Sequence, residues 1–225
     1  MIERIPLFPL GTVLLPGLLL PLEIFEERYR AMIRDLIDTP EGTRRRFGVI
    51  AIRHGREVGT DDLPTVHEIG CTADLRRIEP HPDGRFSVVT AGGTRFRLHN
   101  VDEFSRPYLV AEVEYLDDPV GDPAEAAGLV PAVRTLLLSY VERLASARAM
   151  EITLPDLPDD PKSLSYLVAA SLIAETGERQ ALLAAPDAAA RLRAERALLR
   201  RELGLLRRIT AVASPDLTRV QPSPN

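Results

Sequence analysis

The residue types that most often carry chemistry are sparse in this chain and form no recognisable catalytic pattern. The sequence has four histidines and a single cysteine, Cys71. No two histidines stand at the spacing of a zinc site, and a lone cysteine in a predicted strand is expected to be a small buried residue. Lys162 and Ser163 are adjacent, but neighbouring residues of a helix point about 100° apart and do not form a catalytic dyad.

Two motifs that are typical of enzymes are also missing from the sequence. It contains neither the GxxxxGK[ST] phosphate loop nor the GxSxG nucleophile elbow. We therefore predict a protein that is not an enzyme, with no catalytic residue, no metal ligand and no cofactor. The net charge of −5 gives no reason to expect nucleic acid as a partner.

The apolar N-terminal stretch is unlike a targeting segment. Glu3 stands beside Arg4 where a signal peptide has a basic region, and prolines interrupt the apolar residues after this pair. No apolar run is expected to reach the ~18 residues that a bilayer span needs. One cysteine cannot form an intramolecular disulfide, which agrees with a reducing compartment. We expect a cytoplasmic protein without a membrane partner.

The most apolar part of the chain, residues 5–32, is punctuated by four prolines. Because proline fixes φ and lacks an N–H donor, a continuous helix over 7–22 is excluded. After Phe25 the apolar residues recur at helical spacing. The predicted elements are extended segments at 4–8 and 12–15, a turn at Pro16-Gly17, a strand near 18–25 and a helix over about 25–38.

The rest of the first half alternates in the manner of β-strands. Pro82-Asp83-Gly84 lies between two such runs and predicts a hairpin turn. Further on, the alternation predicts that Phe96 and Leu98 face inward while Arg95 and Arg97 face outward. Roughly six to eight strands are expected, a number that favours a curled or barrel-like sheet.

The second half has the signals of helices. Asp122-Pro123 and Asp160-Pro161 are typical of helix starts, with aspartate as the cap and proline at the first position. We predict an α+β fold in which a β-rich N-terminal subdomain, with a curled, barrel-like sheet and one early helix, precedes a C-terminal α-helical bundle. The predicted boundaries are 1–118 for the β-rich subdomain, 119–213 for the helical subdomain and 214–225 for a disordered tail.

The run PLFPLGTVLLPGLLLPLEIFEERYRAMI at 6–33 is long and ordered. It resembles the opening of the Lon amino-terminal domain, the substrate-binding domain of ATP-dependent Lon proteases, which also occurs in small bacterial proteins that contain little else. Matching pieces further along include Phe47-Gly48-Val49-Ile50, Gly93-x-Arg95-Phe96, Pro107-Tyr108-Leu109 and LSYLVA at 164–169. The resemblance covers about residues 3 to 210.

This resemblance implies a non-catalytic domain that engages exposed hydrophobic segments of unfolded or damaged proteins. The sequence shows no ATPase motif. We therefore expect a domain without the ATPase and protease modules, and two roles are open. The protein is either an adaptor that delivers clients to a separate ATP-dependent protease or a holder of unfolded chains. A different class is also open: a regulatory or sensor protein that binds a small ligand between the two subdomains.

The candidate client site is the leucine-rich stretch and the start of the helix after it. A Pro-Gly turn flanked by leucines is hard to bury completely, and an exposed apolar patch often marks an interaction site. The alternative is that these side chains are core residues, with Phe25 and Tyr29 anchoring the helix on the sheet. The candidate polypeptide-binding residues are Leu14, Leu15, Leu18, Leu19, Leu20, Phe25 and Tyr29.

Overall fold

The computed structural model describes residues 2–40, 42–54, 65–148 and 156–212. These residues form seven strands and five helices, which are, in chain order, β1 (Ile2–Leu10), β2 (Leu19–Ile24), α1 (Glu27–Ile37), β3 (Arg46–His54), β4 (Thr65–Val66), β5 (Ile69–Pro80), β6 (Phe86–Asp102), β7 (Val110–Tyr115), α2 (Pro123–Arg148), α3 (Pro161–Ser171), α4 (Thr176–Leu183) and α5 (Ala188–Val212). The tail predicted at 214–225 lies outside the described residues.

The chain divides into two compact units. The first comprises Met1–Pro119 and Ala169–Pro186, and the second comprises Val120–Val168 and Asp187–Asn225. This division differs from a single boundary near residue 118, because a helical segment late in the sequence belongs with the strands. Hydrogen bonds from Arg95 of β6 to the end of α4 are the physical reason.

The first unit is built on a sheet that curls on itself. β1 pairs with β7, β7 with β6, β6 with β5 and β5 with β3, all antiparallel, and β3 pairs back with β1 in parallel. β4 pairs antiparallel with the end of β3, and β2 pairs with the first part of β6. Ile5, Leu7, Phe96 and Val113 are among the buried core residues inside this curl. The predicted α+β class and the curled sheet are confirmed.

Arg95 is buried, so the prediction that it faces outward is wrong. Only 3% of its surface is exposed, and its guanidinium donates to the carbonyl oxygens of Leu183, Ala185 and Asp117 at 2.9, 2.6 and 3.0 Å. It also forms an ion pair with Asp118 at 3.1 Å. The last turn of α4 covers this side of β6, and its unpaired carbonyl groups attract a buried cation. Arg95 therefore holds the helical segment to the sheet.

In the second unit α2 and α5 pack along each other, and aspartates cap the helices as the sequence predicted. Asp122 Oδ1 accepts the main-chain N–H groups of Ala124 and Glu125 at 2.8 and 3.0 Å. Asp160 Oδ2 accepts the N–H of Ser163 at 2.8 Å. Each aspartate satisfies donors that the first helical turn leaves free. The two Asp-Pro pairs thus position both helices.

In the described part of the chain, α2 contains a stretch that resembles a membrane span, which the sequence analysis did not predict. By length and composition, Pro123–Ser146 of α2 could cross a membrane. The core helix of a soluble protein can have the same length and composition, and α2 buries Val133 and Leu137. The feature is therefore weak evidence for a span.

Candidate functional site

The leucine-rich stretch contains a tight turn that is clamped to β6. Leu18 N–H donates to Leu15 O at 3.1 Å, and Gly17 between them has a φ of +80°. Pro16 at the second position and a positive-φ glycine at the third match a type II turn. Gly17 N–H donates to Gly92 O, and Gly92 N–H donates to Leu18 O, both at 2.8 Å. The predicted Pro-Gly turn is present, and β6 fixes its place.

Gly92 is required at this contact because the turn approaches β6 closely. A Cβ atom at position 92 would lie 2.1 Å from the carbonyl oxygen of Leu15. The main chain there therefore has no room for any other residue. Residues 12–15, predicted as a short extended segment, lead into this turn and are not part of a strand.

We expect Gly92→Ala to lower the free energy of unfolding by about 1–3 kcal/mol, because the turn must move away from β6 to admit the methyl group. Gly128 in α2 has open space at its Cβ position and is a matched control. Gly128→Ala is expected to raise stability by up to about 1 kcal/mol, since it replaces a helix-interior glycine. Urea unfolding measures both, and a Gly92→Ala protein as stable as wild type would contradict the close approach.

Three of the candidate client-binding residues are core residues. Leu14, Leu15 and Tyr29 are buried. The Tyr29 ring lies 4.1 Å from the ring of Phe8 in β1, so Tyr29 anchors α1 on the sheet. Leu14 and Leu15 lead into the turn, and the carbonyl oxygen of Leu15 accepts its closing hydrogen bond. In this conformation these side chains support the surface and do not form it.

The other candidates lie at or near the surface. Leu19 is 62% exposed and Phe25 is 52% exposed, while Leu18 and Leu20 are half-buried. Along β2 the pattern alternates, with Leu20, Leu22 and Ile24 towards the core and Leu19, Pro21 and Glu23 outward. Val89 and Ala91 of β6 stand opposite Pro21 and Leu19. Together, Leu19, Pro21, Phe25, Val89 and Ala91 form a surface that we call the β2 patch.

Several polar side chains in β2 and in the residues just after it form hydrogen bonds or ion pairs with nearby groups. Ser87 Oγ donates to Glu23 Oε1 at 2.7 Å, and Arg28 forms an ion pair with Glu26 at 2.9 Å. Arg30 pairs with Glu27 at 3.0 Å. The surroundings of Phe25 therefore carry little net charge, and apolar contact is the main interaction that this surface offers.

Sequence reasoning missed that β2 is an edge strand. Within the part of the chain that the structure describes, β2 pairs with β6 alone. Pro21 was the signal that could have shown it, because proline inside a strand is confined to edges or bulges. The edge position leaves one side of the β2 main chain without a strand partner among the described residues, beside the exposed side chains.

A polar cleft of about 490 Å³ lies elsewhere in the first unit, between β1, the end of α1 and the segment before β7. Several of its polar groups are paired: Tyr108 Oη donates to Asp35 Oδ2 at 2.7 Å, and Arg46 pairs with Glu3 at 3.1 Å. Burial, with help from Asp35, raises the pKa of Tyr108 to about 12. The exposed wall of this cleft is more polar than apolar.

The described residues include neither a metal-binding cluster nor a reactive thiol. No group of three or more His, Cys, Asp or Glu side chains within them could hold a metal ion. Cys71 is fully buried, and burial raises the pKa of its thiol to about 12. A thiol in that state is a poor nucleophile at neutral pH, because the thiolate is the reactive form.

A family model and the related sequences of known proteins indicate the same family. The model of the ATP-dependent protease La (LON) substrate-binding domain matches residues 4–201. The Lon protease of Anaeromyxobacter dehalogenans (strain 2CP-C) is 26% identical over 224 residues, which cover 96% of this chain and 26% of that protein. The Lon protease of Escherichia coli (strain K12) is 25% identical over 206 residues, covering 90% and 25%. The chain spans about a quarter of the length of these relatives.

Two solved structures resemble the fold. A Lon N-terminal domain protein from Xanthomonas campestris aligns with a TM-score of 0.57 and 26% identity over 85% of this chain and 95% of that one. The N-terminal domain of the Mycobacterium avium complex Lon protease aligns with a TM-score of 0.62 and 20% identity over 88% and 98%. At that identity the second likeness concerns the fold alone.

Proposed function

The chain belongs to the family of Lon substrate-binding domains, and from this premise we propose that it recognises polypeptides through the β2 patch without catalysis of its own. Its clients are unfolded or damaged proteins whose apolar segments are exposed. The observation that carries the proposal is a pair of large apolar side chains exposed to solvent at an edge strand. Leu19 begins β2, and Phe25 directly follows its last residue.

Among the predicted residues, Leu19 and Phe25, with the neighbouring half-buried Leu18, contact the client. Leu20 faces the core from β2, and it supports this surface together with Leu14, Leu15 and Tyr29. Burying apolar surface contributes about 25 cal/mol per Å², so a patch of a few hundred Å² gives a useful but limited gain. Much of that gain offsets the entropy lost on association. We therefore propose affinities in the micromolar range and rapid release.

Two cellular roles follow from this binding, both in the cytoplasm. As an adaptor, the protein would raise the rate at which a separate ATP-dependent protease degrades a client. As a holder, it would slow client aggregation whether or not a protease is present. Degradation and light-scattering assays with the same client separate the two roles.

The direct test is fluorescence anisotropy with a labelled, permanently unfolded polypeptide and its folded parent. The proposal predicts saturable binding of the unfolded chain at tens of micromolar or below, and none of the folded parent. Equal binding of both, or binding of neither, would reject it. A small ligand that stays bound through purification, detected by native mass spectrometry, would instead favour the sensor alternative.

Leu19→Asp is expected to weaken client binding roughly tenfold or more, because one buried leucine side chain contributes about 1.5–3 kcal/mol. Leu138→Asp is the matched control, since Leu138 is 51% exposed but lies in α2. Phe25→Asp and Phe104→Asp form a second pair, because Phe104 is 94% exposed and follows the far end of β6. After circular dichroism has shown that all four fold, equal losses within a pair would argue against the β2 patch.

A further inference from the structure

The main-chain groups of β2 alternate between β6 and the open edge, and Pro21 fixes which residues face which way. Pro21 stands opposite Val89 in the antiparallel ladder. Because proline has no N–H, this pair is not one of the hydrogen-bonded pairs, which alternate along the ladder. Leu20 and Leu22 therefore direct their N–H and C=O groups to β6. Gly92 N–H donating to Leu18 O continues the same alternation.

It follows that Leu19, Pro21 and Glu23 direct their main-chain groups away from β6. No strand within the described ranges pairs with that side. The edge thus presents the N–H groups of Leu19 and Glu23 and three carbonyl oxygens. An unpaired edge of this kind is a template for an extended chain.

We propose that the client binds by strand addition: an extended segment of about five residues, apolar at alternate positions, pairs with the open edge of β2. This inference rests on the proposed function and specifies how the same site binds its client. Alternate client side chains lie on the face that carries Leu19 and Pro21, as the pleat of a sheet requires. There they cover the β2 patch while the main chains form hydrogen bonds.

Pro21 sets the limits of this pairing. It accepts a hydrogen bond through its carbonyl oxygen but removes the central donor, so the added strand is held mainly at Leu19 and Glu23. Proline at an edge is also an obstacle to continued sheet growth. A second copy of this chain is a poorer occupant, because two β2 edges paired antiparallel about Pro21 would set two prolines opposite each other and lose both central hydrogen bonds. The edge therefore suits a short client segment and reversible binding.

The test uses the native protein and an apolar peptide that binds it, in three forms. One form is unmodified, the second carries N-methyl groups at every odd position, and the third carries them at every even position. Methylation removes the N–H groups along one edge of an extended peptide and has similar conformational effects in both sets. Strand addition predicts that one set binds at least tenfold more weakly in anisotropy titrations while the other stays within about twofold of the unmodified peptide. Equal losses, or no loss in either set, would overturn it.

Pro21→Val gives an independent test from the protein side. Valine restores the missing N–H and keeps an apolar side chain on the β2 patch, so the unmodified peptide is expected to bind several-fold more tightly. Unchanged affinity would count against strand addition. If the peptide binds but neither methylation nor Pro21→Val changes its affinity, the β2 patch binds the client through side-chain contacts alone. The proposed function then stands without strand addition. If no unfolded chain binds at all, both are rejected.

Discussion

Replacing Arg95 with methionine is expected to lower the free energy of unfolding by about 3–5 kcal/mol, which is typical of removing one partner from a buried charge network. Arg95 donates to three carbonyl oxygens, and two of them, those of Leu183 and Ala185, lie at the end of α4. Without the guanidinium these carbonyl groups stay buried and lose their donor. The helical segment 176–185 should then separate from the sheet before the rest of the first unit unfolds.

Two companion variants isolate the role of Arg95. Arg97→Met changes an exposed arginine two residues along β6, whose contact with Glu114 is 3.7 Å, and should alter stability by less than about 0.5 kcal/mol. Arg95→Lys keeps the charge but lacks the planar fork of donors, so it should fall between the two. Urea unfolding gives the stabilities, and hydrogen exchange should show faster exchange at 176–185 in Arg95→Met. Similar stabilities for Arg95→Met and Arg97→Met would contradict this assignment.

Glu195→Gln is expected to flatten the dependence of stability on pH. Glu195 in α5 is fully buried, and neither carboxyl oxygen has a hydrogen-bond partner among the described residues. Burial raises the pKa of Glu195 well above its ordinary value of 4.5, although the positive charge of Arg191, one turn earlier, opposes the rise. Arg191 itself donates to Ser165 Oγ at 2.9 Å and stacks on the Tyr166 ring.

The sign of the effect follows from proton linkage. Above about pH 4.5 the unfolded chain releases a proton that the folded protein keeps, so the stabilising contribution is complete below that pH. It is lost as the pH rises through the folded-state pKa, by about 1.4 kcal/mol for every unit by which the pKa is raised. Glutamine stays neutral, so Glu195→Gln should match wild type near pH 4.5 and exceed its stability increasingly above it. Parallel pH profiles from denaturant unfolding would contradict a protonated, buried Glu195.

Local signals in the sequence were sufficient for much of the fold. The hairpin at Pro82-Asp83-Gly84 forms as expected, with Gly84 at a φ of +82°. The two Asp-Pro helix starts carry their own capping oxygens, so they need no information from elsewhere in the chain. Apolar alternation placed Phe96 in the core correctly. These features depend on residues within a few positions of one another.

The errors arise where distant segments meet. Arg95 is buried by carbonyl groups about 90 positions away, which no alternation within β6 could indicate. Leu14 and Leu15 are buried at a point where the main chain of Leu15 closely approaches Gly92, which is distant in the sequence. Glu195 is different: it stands three residues after Leu192 and four before Leu199, both buried, so helical spacing already placed it on the apolar side. Pro21 likewise indicated that β2 is an edge strand, because proline inside a strand is confined to edges or bulges.

Site-specific cross-linking tests the central claim most directly. Cys71 is buried and its thiol has a pKa of about 12, so a cysteine introduced at an exposed position can be labelled selectively with a photoreactive group. Leu19→Cys places the label on the β2 patch, and Leu138→Cys places it on a similarly exposed leucine of α2. We predict that an unfolded client cross-links to position 19 and not to position 138. Equal yields at both positions, or cross-links from position 138 alone, would contradict client recognition by the β2 patch.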